Sequence, residues 1–261
     1  MAIDTENTNY LDCAVKLAES IKFWHANESI CLLTDQQPIQ HLPQFDIVKT
    51  LPYGNRSDDP NWQLENDWQV WAASPYRKTI KLEADMLLTS PIDHWWYILQ
   101  DRDLFISHGA RNYFGKVSDC RFYRKVFDQN HLPDVYNAIT YWSRSWLARD
   151  FFRLVRNIFE NWQDYAKLLK YADPRPTTDL VYAIAANIIG PNKIIDSKLD
   201  FISIVHMKKH FVPTVGSDWT REFVWEFDND QLRINTVAQT GFFHYHIKSW
   251  TNKIEKFTRN H

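Results

Sequence analysis

Hydrophobic positions along the first third of the chain follow a helical spacing in some segments and a strand spacing in others. Apolar residues recur at helical intervals over residues 10–21, and a continuous apolar run at residues 29–35 predicts a buried strand. Residues 45–51 predict a second strand, and residues 62–73 an aromatic helix that ends before Pro75. Strand and helix in alternation predict an α/β fold with a parallel sheet, in which ligands lie beyond the carboxyl ends of the strands.

The remainder of the chain continues this pattern. Apolar runs predict strands at residues 103–107 and 136–142, and a further strand at residues 231–237. Residues 145–169 carry apolar side chains at helical spacing and predict one long amphipathic helix. A helix that starts at residues 178–179 follows an extended, proline-containing loop.

Two acidic residues, Glu83 and Asp85, interrupt the apolar run at residues 76–88. Carboxylates two positions apart point to the same side of an extended chain, so at a strand end both can reach one cation or phosphate. Acids at strand ends are more often solvated or cap a helix, and this spacing alone identifies no ligand. The apolar residues on both sides, and a turn and helix start at residues 90–93, favour a metal site.

A second candidate metal segment lies near the carboxyl end of the chain. His244 and His246 are also two positions apart and share one side of an extended segment, and Lys248 follows them. A neutral imidazole can complete a carboxylate site for Mn²⁺ or Mg²⁺. Neighbouring histidines in an aromatic segment are more often packed and hydrogen bonded than metal-bound. This segment therefore indicates a metal site only in combination with Glu83 and Asp85.

Composition is typical of a globular enzyme. The 261 residues carry a formal net charge of −2, which gives no whole-molecule attraction for a polyanion. Three widely spaced cysteines indicate a reducing compartment, and no apolar run approaches the roughly 20 residues that span a bilayer. With no secretory signal at the numbered start, these features predict a cytoplasmic protein without a membrane partner. No glycine-rich phosphate loop is present.

The segment at residues 76–93 resembles the Asp-x-Asp region of nucleotide-sugar glycosyltransferases with the GT-A fold, and is especially similar to glycosyltransferase family 8. The resemblance implies an α/β fold of GT-A type, with a mostly parallel central sheet flanked by helices. It implies a single Rossmann-like domain over residues 1–261. Residues from 1 to about 107 would form the nucleotide-sugar and metal half, and those from about 108 to 261 the acceptor half, including a carboxyl-terminal metal and diphosphate motif.

The same resemblance implies roles for the residues of both candidate metal segments. Glu83 stands where the family has its first Asp, and Asp85 matches the second. The family's carboxyl-terminal motif has a metal-binding His and a diphosphate-binding Lys, and the shorter segment here leaves open whether His244 or His246 is the ligand. Lys248 is the expected diphosphate contact, although the segment at residues 205–210 could serve that role or face the acceptor.

Further residues are expected to contact the donor. Asp4 and Tyr10 occupy the place of the family's loop for the nucleobase and ribose, but an ordinary helix cap and a packing residue would explain them equally well. We also assign Lys78 to donor binding. The first strand is very short in this chain: it is abbreviated, or the numbered start lies inside it.

Residues 136–142 resemble the family's Phe-Asn-Ala-Gly-Val strand, whose Asn-Ala pair faces the donor sugar. Asn137 and Ala138 are therefore expected at the donor sugar, whereas Ile139 replaces the family's glycine. The family often has an acidic residue after this strand that orients hydroxyl groups, and Asp179 is the candidate here. Asn137 and Asp179 are our predicted catalytic residues, and a simple helix cap is the alternative role of Asp179.

These features together predict a Mn²⁺- or Mg²⁺-dependent glycosyltransferase that uses a nucleoside diphosphate sugar, with UDP as the expected nucleotide, and transfers the hexosyl or pentosyl group to a hydroxyl acceptor. Basic and aromatic residues at 108–125 allow a DNA acceptor, such as a hydroxymethylated base in bacteriophage DNA, although a solvated loop is the simpler interpretation. A saccharide or glycan acceptor is the alternative. A nucleotidyltransferase and a non-catalytic carbohydrate-binding protein are the other two classes considered.

Overall fold

The computed structural model describes residues 1–4, 9–36, 42–117, 124–212, 218–228 and 230–248, and it is a mixed α/β structure. The described helices are α1 (Tyr10–Trp24), α2 (Val70–Ala73), α3 (Asp93–Leu99), α4 (Lys125–Gln129), α5 (Trp146–Glu160), α6 (Trp162–Leu169), α7 (Thr178–Ile189) and α8 (Trp219–Glu222). The described strands are β1 (Cys31–Thr34), β2 (Ile47–Thr50), β3 (Lys78–Leu82), β4 (Met86–Leu88), β5 (Leu104–His108), β6 (Ala110–Arg111), β7 (Val135–Ser143), β8 (Ile204–His206), β9 (Trp225–Asp228), β10 (Gln231–Ile234), β11 (Val237–Ala238) and β12 (Phe242–His244).

The described strands form several small sheets. β1 and β2 pair in parallel, and β7 lies between β3 and β5, antiparallel to both. A mixed sheet has the order β4-β12-β8-β6, with β12 antiparallel to β4 and parallel to β8. The antiparallel strands β11, β10 and β9 form the fourth sheet. The expectation of one mostly parallel central sheet is therefore not confirmed. Strand β7 pairs antiparallel with β3 and β5, and β4 pairs antiparallel with β12.

Helix α1 lies against β4 and has the periodicity expected for residues 10–21. Asn9 caps the helix, since its side chain accepts a hydrogen bond from the backbone N–H of Asp12. The apolar face buries Ala14, Leu17 and Ala18. Ser20 donates to the Leu17 carbonyl and accepts a hydrogen bond from the backbone N–H of Leu88, which fixes α1 to β4.

The apolar run at residues 76–88 is two strands and not one. β3 ends at Leu82, and β4 begins at Met86 in a different sheet. The residues between them, Glu83 to Asp85, carry the chain across the junction of the two sheets. The acidic pair therefore lies in the connection between strands, where side chains can leave the core.

Two predicted helices differ in detail from their sequence patterns. The segment at residues 145–169 divides into α5 and α6 at Asn161, whose backbone leaves the helical region with φ −118° and ψ 28°. The periodicity of apolar residues continues through Asn161, so periodicity alone did not reveal the break. The segment at residues 62–73 begins with a 3-10 helix at Gln63–Gln69 and becomes α-helical only in α2.

The largest hydrophobic core lies between α5, α7 and the sheet β3-β7-β5. Phe151, Phe152 and Val155 of α5 pack with Tyr182 of α7 and with Trp142 of β7. These residues are almost completely shielded from solvent, and aromatic contacts of this kind add to the burial of apolar area. In the described part of the chain, no helix is both long enough and apolar enough to cross a bilayer.

Candidate functional site

Strand pairing brings the carboxyl-terminal histidine segment to the acidic connection. β12 runs antiparallel to β4, with Phe242 opposite Leu88 and His244 opposite Met86. The backbone N–H of Tyr245 donates to the carbonyl of Asp85 at 3.1 Å, which continues this pairing one residue beyond the strands. The backbone alone therefore places His244 beside Asp85.

Glu83, Asp85 and His244 form a compact group of candidate metal ligands. The His244 Nε2 atom lies 3.1 Å from Asp85 Oδ2 and 3.4 Å from Glu83 Oε2. One ligand atom from each of the three residues lies within 4.8 Å of the others. Asp85 and His244 are buried, and Glu83 is partly exposed, so the group opens to solvent on the Glu83 side.

Lys248 and Tyr10 adjoin this group. The Lys248 ammonium forms an ion pair with Asp85 Oδ2 and donates to the Tyr245 carbonyl at 3.2 Å. It lies 5.5 Å from the centroid of the Tyr10 ring, at the first residue of α1. Residues from the amino-terminal helix, the β3–β4 connection and the carboxyl-terminal segment therefore meet at one place.

The charges of the group compensate for its burial. Burial favours the protonated form of Asp85, but the opposite charges of His244 and Lys248 outweigh it and hold the pKa of this carboxyl well below its usual range. Burial would lower the pKa of His244, but Asp85 and Glu83 raise it. The pKa of Glu83 is raised, first by burial, against the opposing effects of His244 and Lys81. Asp85 is therefore the carboxyl of the group that most strongly favours its charged form.

The donor set suits a divalent cation. Two carboxylates and one imidazole match Mn²⁺, which accepts both oxygen and nitrogen ligands, whereas Mg²⁺ prefers oxygen. Ligands at right angles on metal bonds of about 2.1 Å stand about 3 Å apart, and the separations of 3.1 and 3.4 Å are close to that value. These three residues therefore fit such an ion, and Lys248 would share Asp85 with it.

Three imidazole rings lie together at the carboxyl ends of β8 and β12. His206 of β8 is the register partner of His244, and their rings stack with centroids 4.5 Å apart and planes at 12°. His246 is exposed, and its ring lies 4.7 Å from that of His206. The Nδ1 atoms of His206 and His244 are buried and have no hydrogen-bond partner among the described residues. Of the two predicted histidines, only His244 belongs to the three-ligand group.

The predicted catalytic residues form a second polar group. The backbone N–H of Asn137 donates to Asp179 Oδ1 at 2.9 Å, and Arg124 donates to Asp179 Oδ2 at 3.2 Å. The Asn137 side chain is occupied in the interior, donating to Asp67 and accepting from Thr178. Asp179 contributes to the raised pKa of Glu83, so the two polar groups interact electrostatically.

A buried ion pair beneath Glu83 escaped the sequence analysis. Lys81 Nζ lies 2.9 Å from Asp67 Oδ1, and both side chains are only 5% exposed. Asp67 also accepts a hydrogen bond from the Tyr182 hydroxyl, and Lys81 donates to the Asn137 carbonyl at 3.3 Å. Charged residues are almost never buried unless paired. A Lys two positions before Glu83, on the same side of the strand, was the available sequence signal.

The remaining predicted donor residues contribute no ligand atom to the group of Glu83, Asp85 and His244. Asp4 accepts a hydrogen bond from the backbone N–H of Leu11 at 3.0 Å and one from the Gln36 side chain, so it supports the start of α1. Lys78 is exposed at the first position of β3, about 13 Å along the strand from Leu82. Ala138 is buried in the core at 3% exposure.

No protein-family model matches the chain, and no curated protein sequence does.

Proposed function

We propose that this protein is a metal-dependent glycosyltransferase with a GT-A-like site, which moves a sugar from a nucleoside diphosphate sugar, UDP being the expected nucleotide, to a hydroxyl acceptor. The observation that carries the proposal is the group of Glu83, Asp85 and His244 with Lys248 beside it. Two segments far apart in the sequence, each resembling a different part of the glycosyltransferase site, lie together there.

The chemistry of the leaving group explains why these residue types belong together. Departure of a nucleoside diphosphate concentrates negative charge on its phosphate oxygens, and preorganised cations stabilise that charge. A divalent cation held by Glu83, Asp85 and His244 would supply such stabilisation as a Lewis acid. Lys248 adds a second positive charge that can donate to a diphosphate oxygen, and the neighbouring Tyr10 ring offers an apolar surface beside it.

Asp179 is the residue proposed to contact a substrate hydroxyl. Its carboxylate is held by the Asn137 N–H and by Arg124, and its side chain is 26% exposed. Asn137 acts as a positioning residue, because its side-chain atoms are engaged by Asp67 and Thr178. A carboxylate fixed in this way can orient an acceptor hydroxyl or accept its proton, provided that the hydroxyl comes within hydrogen-bond reach.

The acceptor is proposed as a hydroxyl group, of a modified DNA base or of a saccharide. In the described part of the basic, aromatic segment, the arginines are engaged within the protein. Arg111 donates to Ser203 and to the carbonyls of Gly115 and Asp200, and Arg124 is only 2% exposed. Residues 118–123 of this segment lie outside the described residues. These contacts make the two described arginines of this segment less available to DNA phosphates.

The decisive experiment measures nucleoside diphosphate release from a panel of nucleotide sugars with Mn²⁺ or with EDTA. We expect Mn²⁺-dependent release from one donor, stimulated by either hydroxymethylated DNA or an oligosaccharide. Asp85→Asn should lower the rate by about 100-fold, the usual effect of losing an electrostatic stabiliser of the transition state. Asp164→Asn is the matched control, since Asp164 is 78% exposed and pairs only with a surface lysine in the described structure.

The products separate this proposal from the other classes. Pyrophosphate formed from a nucleoside triphosphate and a sugar phosphate would identify a nucleotidyltransferase. Metal-independent sugar binding without diphosphate release would identify a carbohydrate-binding protein. If no donor in the panel binds or turns over in the presence of Mn²⁺, the proposed function is wrong.

A further inference from the structure

One opening in the described structure extends to the neighbours of Glu83, since Leu82 and Ala84 are among its lining residues. It is a cavity of about 350 Å³ between β1 and β3. Its walls include Cys31, Leu32 and Leu33 of β1 and all five residues of β3, from Lys78 to Leu82. The cavity therefore follows the length of both strands.

Each of these strands presents an unpaired edge to the cavity. Within the described residues, β1 pairs as a strand only with β2, and β3 pairs only with β7, each on the side away from the cavity. An open strand edge exposes a row of N–H and C=O groups that can pair with another strand. Two such edges on opposite walls of one cavity form a slot for a single strand.

The backbone at Met1 and Ala2 already occupies the carboxyl end of this slot. Ala2 forms a parallel bridge with Thr34, and its N–H donates to the Leu33 carbonyl at 2.8 Å. On the other side, the Met1 nitrogen lies 3.4 Å from the Leu82 carbonyl. The two residues thus contact β1 and β3 at once, as a strand between them would.

The nitrogen of Met1 lies in surroundings that suit a peptide group better than a charge. Burial, together with the positive charge of Lys81, lowers the pKa of this amino group to about 6. A buried ammonium is costly when it is not paired, whereas a peptide N–H in the same place donates a neutral hydrogen bond to Leu82.

We propose that the slot between β1 and β3 is the binding place of a further β-strand, formed by polypeptide that leads directly into Met1 and runs parallel to β1. This strand joins β1-β2 and β3-β7-β5 into one central sheet, in the order β2, β1, the added strand, β3, β7, β5. The two separate sheets of the described structure are then the two halves of that sheet.

The walls of the slot specify the composition of the strand. One face consists of the apolar side of α1, with Ala14, Leu17 and Ala18, and the opposite face includes Ala73 and Trp142. Parallel strands covered on both faces are apolar throughout. The occupant is therefore a segment of mainly Val, Ile and Leu without Pro.

The test compares two amino-terminal extensions of the full chain. One adds five β-forming apolar residues before Met1, and the matched control adds five alternating Gly and Ser residues. We expect the first to raise the melting temperature by about 5 °C over the control. It should also slow labelling of the Cys31 thiol by maleimide by about tenfold, because Cys31 lines the slot and thiol reactivity depends on access.

Hydrogen exchange of backbone amides provides an independent measurement on the same variants. Slower exchange at residues 31–33 and 78–82 in the apolar extension alone would support strand insertion. Equal exchange, labelling and melting temperature in the two variants would overturn the proposal. Protection of Cys31 by an added apolar dye in the strand-extended protein would also overturn it, because the slot would then still be open.

Discussion

At the scale of single residues, His244 and His246 differ in their positions relative to the carboxylates of Glu83 and Asp85. Both precede Lys248 in an aromatic segment, and the sequence leaves open which of them is the metal ligand. β12 ends at His244, so the alternation of an extended strand does not carry His246 to the same place. His244 faces both carboxylates, and His246 is exposed beside His206.

This difference predicts that alanine substitutions at the two histidines change Mn²⁺ affinity by different amounts. His244→Ala removes one of three ligand atoms and should weaken Mn²⁺ binding by at least about tenfold, since even residues that only support ligands contribute 10–100-fold. His246→Ala should leave the dissociation constant nearly unchanged, because His246 contributes no ligand atom to the group. Isothermal titration calorimetry with Mn²⁺ measures both, and a larger loss in His246→Ala would contradict the assignment of His244.

Lys248 is predicted to affect metal and diphosphate binding in opposite directions. Without ligands its ammonium pairs with Asp85 Oδ2, so Lys248→Gln removes a competing cation and should leave Mn²⁺ affinity unchanged or increased. The same change should weaken UDP binding in the presence of Mn²⁺ by about tenfold or more, because hydrogen bonds to charged groups contribute about 1.5–3 kcal/mol. Titrations with Mn²⁺ alone and with UDP plus Mn²⁺ separate the two effects.

Lys209→Gln serves as the control for this pair of titrations. The Lys209 side chain is 56% exposed, and its Nζ atom lies 3.8 Å from Oδ2 of Asp218. It should change neither affinity. A loss of Mn²⁺ affinity in Lys248→Gln would show that Lys248 supports the acidic group and does not compete with the cation.

At the scale of secondary-structure elements, local pattern predicted most elements but not their partners. The periodicity of residues 10–21 and the apolar runs of β1, β5 and β7 identified those elements. The pairing of β12 with β4 joins residues that are far apart in the sequence, such as His244 and Met86, and local pattern does not contain such contacts. The acidic pair and the histidine segment were each recognised from their residue types. That they lie next to each other follows only from the pairing of β12 with β4.

The buried pair Lys81–Asp67 was missed for a related reason. Asp67 lies in a 3-10 helix and Lys81 in β3, and each looks like an ordinary surface charge in the sequence. Only the packing of α7 and β7 over them removes both from water. A charged residue on the inward side of a strand can be recognised as part of a buried ion pair only when its partner from another element is known.

The Lys81–Asp67 pair gives a stability prediction at this scale. Lys81→Met leaves the Asp67 carboxylate buried without its cation and should lower the free energy of unfolding by about 3 kcal/mol. Combining it with Asp67→Asn removes the uncompensated charge and should recover part of this loss. Urea denaturation measures all variants, with the exposed Lys167→Met as control. Equal stability of Lys81→Met and the wild-type protein would contradict the role of the pair.

At the scale of the whole molecule, the acidic group connects three distant parts of the chain. α1 contributes Tyr10, the connection between β3 and β4 contributes Glu83 and Asp85, and the segment after β12 contributes Lys248. Strands β3 and β4 each lie at the edge of a different sheet and meet at this connection. A ligand bound there would therefore stabilise contacts between sheets as well as within the site.

Metal binding is accordingly predicted to stabilise the whole fold. A ligand at 100 times its dissociation constant, bound only by the native state, adds about 2.7 kcal/mol to the free energy of unfolding. For a chain of this size that corresponds to a rise of roughly 5–10 °C in melting temperature. Differential scanning calorimetry in Mn²⁺ and in EDTA measures the rise. It should disappear in Asp85→Asn and persist in Asp164→Asn, and an equal rise in both variants would place the Mn²⁺ outside the group of Glu83, Asp85 and His244.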